Sequence, residues 1–182
     1  PDEGAVDVAR RSGLETVHHG TLDTFPLEPG AWDLVRFWHT LEHTPSPSDA
    51  LRRAHEALRP GGRVVVGVPN LDAAARIAFG ADWDGLELPR HLHHFTRASL
   101  AAVLRECDFS HVEVRSVPIL GVLAGSLDAR TRRTGIQRRG RAWAIARIAL
   151  HPLELAAAAF GRGDGLVATA MRPGPRGDRA AA

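Results

Sequence analysis

The sequence has a single cysteine, Cys107, and its 23 basic residues include no lysine. One thiol excludes an internal disulfide framework and suits a reducing compartment, so a cytoplasmic setting is expected. No uninterrupted apolar run is long enough to span a bilayer. The opening residues lack the basic and then apolar regions of a secretory leader. Internal repeats are absent. Basic residues that are all arginine, beside abundant alanine, read as the codon bias of a GC-rich genome. With a formal net charge of only +2, they do not make a nucleic-acid footprint, and no nucleic-acid partner is expected. What the chain does have is 182 residues, 44% of them hydrophobic, which is enough for one domain with a real core.

Hydrophobic periodicity divides the chain into alternating elements. Residues 2–12 predict a helix stopped by Gly13, and "LETVHHG" (14–20) a short strand. "WDLVRFW" (32–38) predicts a second strand. "SPSDALRRAHEALRPGG" predicts a helix capped by Ser46 or Ser48 and ended by Pro60-Gly61-Gly62. "RVVVGVP" (63–69) has the continuous β-branched run of a strand covered on both faces. Further helices are predicted over 71–80, over 96–109 with Thr96 as cap, and over 141–160. Strands follow at 111–117 and 165–172. Strands alternating with helices imply an α/β fold with a mostly parallel sheet. The tail, 173–182, reads as disordered.

Between the strand 32–38 and the helix after it lies His39-Thr-Leu-Glu42-His43. This H-x-x-E-H spacing inside a long helix would present two imidazoles and a carboxylate on one face, as in inverted zinc proteases. Here the pentapeptide follows a strand directly and is cut off by Thr44-Pro45-Ser46-Pro47. It therefore belongs to a turn leaving the carboxyl end of a strand, the edge at which open α/β sheets bind ligands.

The whole segment "WDLVRFWHTLEHTPSPSDALRRAHEALRPGGRVVVGVPN" resembles the central part of class I S-adenosylmethionine-dependent methyltransferases. "LPRHLHHFTRASLAAVLRECDF" is similar to the subgroup of ubiquinone-biosynthesis O-methyltransferases and other small-molecule enzymes. The resemblance covers residues 1 to about 118 and extends to the strand 165–172. It implies a Rossmann-like methyltransferase sheet, mostly parallel, with "RVVVGVP" between "DLVRFW" and an antiparallel last strand "GLVATAMR". The chain departs from the family at its start. The Gly-rich G-x-G-x-G turn and the acid after the second strand are missing, so the domain is expected to be a fragment lacking its first two strands. On this reading 1–172 form a single, N-terminally incomplete domain, in which 119–162 are a basic linker and a lid or interface helix.

Site residues follow from the same resemblance. Thr21 and Leu22 fall beside the adenine of the cofactor, with Asp23 two positions on, though a plain turn accounts for them too. Trp38 and His39 match the positions under its methionine end; Trp38 reads equally as core. His43, or His39, is the candidate base that takes a proton as the methyl arrives. His39, Glu42 and His43 occupy positions where ubiquinone-type relatives can bind a divalent metal, with His39 replacing an acid. The alternative is that Glu42 and His43 only fix the turn, and no metal is expected. The loop 88–95 covers the substrate in the subgroup, which makes Arg90, His91 and His94 candidate substrate ligands, or else a surface loop anchored by Phe95.

The resemblance thus implies methyl transfer from S-adenosylmethionine to a small-molecule, glycan or lipid-precursor acceptor. The other reading is a non-catalytic methyltransferase-like remnant or partner subunit. The apolar helix 141–160 beside an arginine-rich linker offers a surface for a peripheral membrane contact or a homodimer. With the Gly-rich wall missing, the 182-residue chain by itself is expected to bind S-adenosylmethionine very weakly. Isothermal titration measures this, and a low micromolar dissociation constant, about −8 kcal/mol, is the contrary result.

Overall fold

The computed structural model describes residues 3–133 and 141–174. Its sheet is built around β2 (Leu58–Pro69), the apolar run of the sequence. β2 pairs in parallel with β1 (Trp32–Trp38) and antiparallel with β4 (Gly165–Met171), and β4 pairs antiparallel with β3 (Ser110–Val117). The order is β1-β2-β4-β3, so β1, β2 and β3 run one way and β4 alone runs against them, as expected. Val64, Val66 and Val68 of β2 are wholly buried. Each contributes roughly 1.5–3 kcal/mol by leaving water.

Helices cover the sheet. Pro47 opens α2 (Pro47–Ala57), and the Ser46 hydroxyl caps it by accepting from the Asp49 N–H at 3.3 Å. Its buried stripe of Ala50, Leu51 and Ala54 packs on Val64, Val66 and Leu166 in one core. α4 (Arg97–Glu106) begins with a reciprocal cap between Thr96 and Ser99, and buries Leu100 and Leu104 in that same core. α1 (Glu3–Arg11) stands outside it with no buried residue, and Gly13 follows at φ 88°. A second cluster, Ala73, Ala75, Trp83 and Val122, joins α3 (Ala74–Phe79) to α5 (Val122–Arg133).

Several expectations are corrected. Residues 14–20 are not a strand; they run as irregular chain after α1. Pro60-Gly61-Gly62 do not end α2. Leu58 already faces Trp32, and the register next resumes at Leu34 with Arg63, so the three form an irregularity inside β2. Gly61 sits there at φ 78°, and a side chain on Gly62 would come within 2.8 Å of the Arg59 carbonyl. The segment expected as a linker begins with a helix, α5, and its residues 134–140 lie outside those described. The predicted disordered tail also lies outside them from residue 175.

A buried carboxylate explains α5. Glu154, wholly buried on α6 (Arg141–Ala159), accepts the N–H groups of Gly121 at 3.0 Å and Leu123 at 3.1 Å, the first orphan donors of the helix. His151 Nδ1 lies 2.9 Å from the other Glu154 oxygen. The outward side of α6 exposes Ile145, Ile148 and Leu153, and Phe160 just after it is exposed too. No described helix is long and apolar enough to cross a membrane.

The core arithmetic is testable by urea unfolding. Leu104→Ala, at a fully buried position, is expected to cost about 2–5 kcal/mol. Thr96→Ala, which removes only the cap of α4, is expected to cost about 1 kcal/mol.

Candidate functional site

Strand direction assembles the site. β1 leaves the sheet at Trp38 and β2 at Pro69, on the same edge; because Pro69 pairs with Gly165, antiparallel β4 enters there. The residue just before β4, Asp164, is therefore held at the edge where the other two strands end. The Asn70 N–H donates to the Asp164 carbonyl at 2.8 Å, and Asn70 Nδ2 donates to the Gly163 carbonyl at 2.7 Å.

His39 turns the chain out of β1. Its φ is 50°, in the left-handed region that histidine enters more readily than most residues, and its N–H donates to the Gly67 carbonyl at 2.9 Å. The short turn Leu41–His43 follows and buries Glu42 completely. Among the described residues neither Glu42 oxygen has a hydrogen-bond partner. Oε1 lies 3.5 Å from His39 Nδ1 and 4.0 Å from His91 Nε2. The Glu42 carbonyl accepts from the N–H groups of Leu92 and His93, which ties the loop 88–95 to this turn.

His43 is oriented by the same loop. Its Nδ1 lies 2.9 Å from the Arg90 carbonyl. A carbonyl oxygen only accepts, so Nδ1 carries the hydrogen, and in the neutral ring Nε2 keeps the lone pair a base needs. His91, 5% exposed, has Nδ1 at 3.0 Å from the Gly85 carbonyl and Nε2 at 3.2 Å from Glu87 Oε2. Arg90 lies outward and pairs with Glu87. His94 Nε2 bonds to the Leu86 carbonyl at 2.9 Å and holds the turn Asp84–Leu86 against the loop.

Two cavities meet at this edge. One, about 290 Å³, is lined by His39, His43, Asp84, Glu87, His91 and Asp164, with Arg90 at its rim. The other, about 280 Å³, is lined by Trp38, His39, Gly67 and Leu120. His39 and Ile119 line both. Thr21 and Leu22 line a separate hollow of about 360 Å³ with His18 and Phe25. The structure thus gathers His39, His43, Arg90 and His91 around one cavity and sets Trp38 in its neighbour. Thr21 and Leu22 stand apart from both, and His94 does not line any of the three.

The ligand trio for a metal also differs from the sequence pattern. Glu42, His43 and His91 each offer an atom within 4.8 Å of the other two, whereas His39 is not in that group. A carboxylate and two imidazoles could hold a divalent ion.

Sequence reasoning took Glu42 as a turn residue or as one of a metal set with His39 and His43, and missed Asp84 and Asp164 altogether. The signals were thin: "DWD" in a loop and "GDG" before the last strand. Asp164 is 2% exposed. Burial pushes its carboxyl up to about 6; the Trp83 indole N–H, donating at 3.2 Å, opposes this, and Glu154 and Asp84 add to it. Asp84 is also raised, first by burial and then by Glu87.

A family model described as a methyltransferase domain matches residues 4–114. A ubiquinone biosynthesis O-methyltransferase of Burkholderia lata is 31% identical over 96 residues, 50% of this chain and 41% of that protein. An uncharacterized 37.1 kDa protein of transposon TN4556 from Streptomyces fradiae is 38% identical over 81 residues, 44% of this chain and 22% of that protein. The match to this chain therefore spans less than half the length of either relative. A crystal structure of an S-adenosylmethionine-dependent methyltransferase from Thermotoga maritima superposes with a TM-score of 0.64 at 18% identity, covering 94% of this chain and 70% of that one. At that identity the likeness shows the fold.

Asp164 gives a pH prediction. In the unfolded chain it titrates at its ordinary 3.8, and in the folded protein at about 6. The folded state holds the proton more tightly, so the stability linked to it is complete below the lower value and lost as pH rises through the higher. The loss by neutral pH is roughly 3 kcal/mol. Asp164→Asn keeps an acceptor for Trp83 and does not titrate. Urea unfolding at about pH 4.5 and 7.5 should show the variant gaining on the parent at the higher pH. A constant gap would mean that this carboxyl titrates as it does in water.

Proposed function

The chain belongs to the class I S-adenosylmethionine-dependent methyltransferase family, and on that premise we propose that it carries the acceptor site of an enzyme transferring a methyl group to a small molecule. The observation that supports this reading is the meeting of two cavities at His39, on the edge where β1 and β2 end. One would take the methionine end of the donor and the other the acceptor, with His39 and Ile119 lining both.

S-adenosylmethionine, when bound, supplies an electrophilic methyl on a positively charged sulfur. The residues present fit such a group. Trp38 is 46% exposed and lines the neighbouring cavity beside Gly67, with the Arg36 guanidinium 5.3 Å from its ring centre; an indole that holds one cation can accept another at its open side. Trp38 and His39 would hold its methionine end. Thr21 and Leu22, which line a hollow of their own with His18 and Phe25, would serve the adenine. The chain's main contribution to rate is alignment of the acceptor. His39 is fixed by its bond to Gly67, and His43 by its bond to Arg90, so neither imidazole is free to drift. His43 Nε2 then accepts the proton that the acceptor atom releases. The loop 88–95, bound to Glu42 through two backbone N–H groups, closes over the acceptor and excludes water.

This transfer needs no Lewis acid, because the departing sulfur leaves as a neutral thioether. The lone, buried thiol of Cys107 supports the cytoplasmic setting expected from the sequence.

Two measurements test the reading in the active protein. Arg90→Ala or His91→Ala should lower turnover while donor affinity stays within about threefold, or roughly 0.65 kcal/mol; equal loss of both would move the loop to the donor side. Trp38→Ala should show the reverse, with donor affinity down at least about tenfold. A chelator should leave the rate unchanged. A loss that magnesium or zinc restores would instead give Glu42, His43 and His91 a catalytic ion.

A further inference from the structure

The acceptor cavity is unevenly charged. Asp84, Glu87 and Asp164 line it against one arginine, Arg90, which already pairs with Glu87 at the rim. Among the described residues no ion pair joins an arginine to Asp84 or Asp164, although the charges of Arg132 and Arg147 act on Asp84 and offset part of the excess. Asp164 is almost wholly buried, and only one of its carboxylate oxygens is hydrogen-bonded, to the Trp83 indole. Among the described residues the other oxygen has no hydrogen-bond partner, and Asp164 is one of the residues that line the cavity. A carboxylate left so, at the end of a strand and beside a second acid, is costly unless something positive or donating comes to it.

A metal ion is the weaker candidate for that role. The residues that cluster at ligand distance are Glu42, His43 and His91; neither Asp84 nor Asp164 joins such a group among the described residues. An anionic acceptor is disfavoured by both acids. A neutral hydroxyl would satisfy one oxygen and leave the charge uncompensated. An ammonium group offers several N–H donors and a full positive charge to two carboxylates at once.

We propose that the acceptor is an amine, bound as its ammonium form between Asp84 and Asp164, and that the methyl group is transferred to nitrogen. The inference rests on the methyltransferase reading above and deepens it. The ammonium gives one proton to His43 Nε2, which leaves a neutral amine with a lone pair. That pair forms the nitrogen–carbon bond as the carbon–sulfur bond of the donor breaks, and the electrons of the broken bond stay on sulfur. The product is a methylated ammonium, so the acids hold a positive charge before and after the step. Asp84 and Asp164 are in this account specificity residues, and His43 is the base.

Three probes of one shape test it: benzylamine, benzyl alcohol and benzoate, all small enough for a cavity of about 290 Å³. Their binding to the full chain is measured by ligand-observed NMR at about pH 8, where the amine is charged. Benzylamine should bind at least about tenfold more tightly than the alcohol, and benzoate least. Asp164→Asn and Asp84→Asn should each weaken benzylamine at least about fivefold and leave the alcohol within about twofold. Asp84 is much the less buried of the two acids, so its variant keeps the test alive should the Asp164 variant misfold. Equal binding of the three probes, or variants that lose nothing, overturns the proposal. A transfer assay on the active protein with methyl-labelled S-adenosylmethionine separates the two readings. Label found on hydroxyl acceptors and on no amine overturns the amine inference and leaves the methyltransferase reading. Selective amine binding with no transfer to any acceptor leaves the ammonium site and overturns both the transfer to nitrogen and the methyltransferase reading.

Discussion

The opposed run of β4 against β2 is the constraint on which the site depends. Parallel strands deliver only their carboxyl ends to the binding edge, and those ends are followed by turns. By pairing Gly165 with Pro69, the sheet brings the start of an antiparallel strand to the same edge. Asp164, from near the end of the chain, thereby comes to line one cavity with His39 and His43, from its first third. The seven paired positions between Arg63–Met171 and Pro69–Gly165 fix that register. A slip of one residue would turn Val64, Val66 and Val68 out of the core, so burial of these side chains also locks the position of the acid.

Charge burial is used in three ways in this fold. Glu154 is compensated by backbone N–H groups and serves as a helix cap, which makes it structural. Glu42 has histidines near both sides and no hydrogen bond to either oxygen. Asp164 has one partner and one open oxygen, and burial pushes its carboxyl up to about 6. Groups left incompletely satisfied in a protein interior mark the places where a ligand completes the structure.

Much of the architecture was legible because local signals and tertiary demands agreed. Ser46 before Pro47, Thr96 three residues before Ser99, and the run Val64–Val68 each have one low-energy use, and the structure makes it. The misreadings came where a local signal had two uses. Pro60-Gly61-Gly62 serves as well for an irregular strand start as for a helix stop, and the pairing of Leu58 with Trp32 decided between them. Residues 14–20 alternate like a strand but pair with none of the described strands, and a strand without a ladder is not stable. α5 was hidden because its cap comes from Glu154, on the following helix.

The sequence by itself determined the order of most elements, the central place of β2, and the turn that carries His39, Glu42 and His43, because periodicity, caps and a strand-to-turn boundary are written within a few residues of one another. It also placed Arg90 and His91 in a loop before a helix. Only the tertiary structure decided that His91 and not His39 joins Glu42 and His43, that Thr21 and Leu22 line a hollow of their own, and that Asp84 and Asp164 share a cavity with the histidines. The physical reason is distance along the chain. A carboxylate acquires its chemistry from what surrounds it after folding, and for Asp164 those surroundings are Trp83, Asn70 and the end of β2, none of which is its neighbour in sequence.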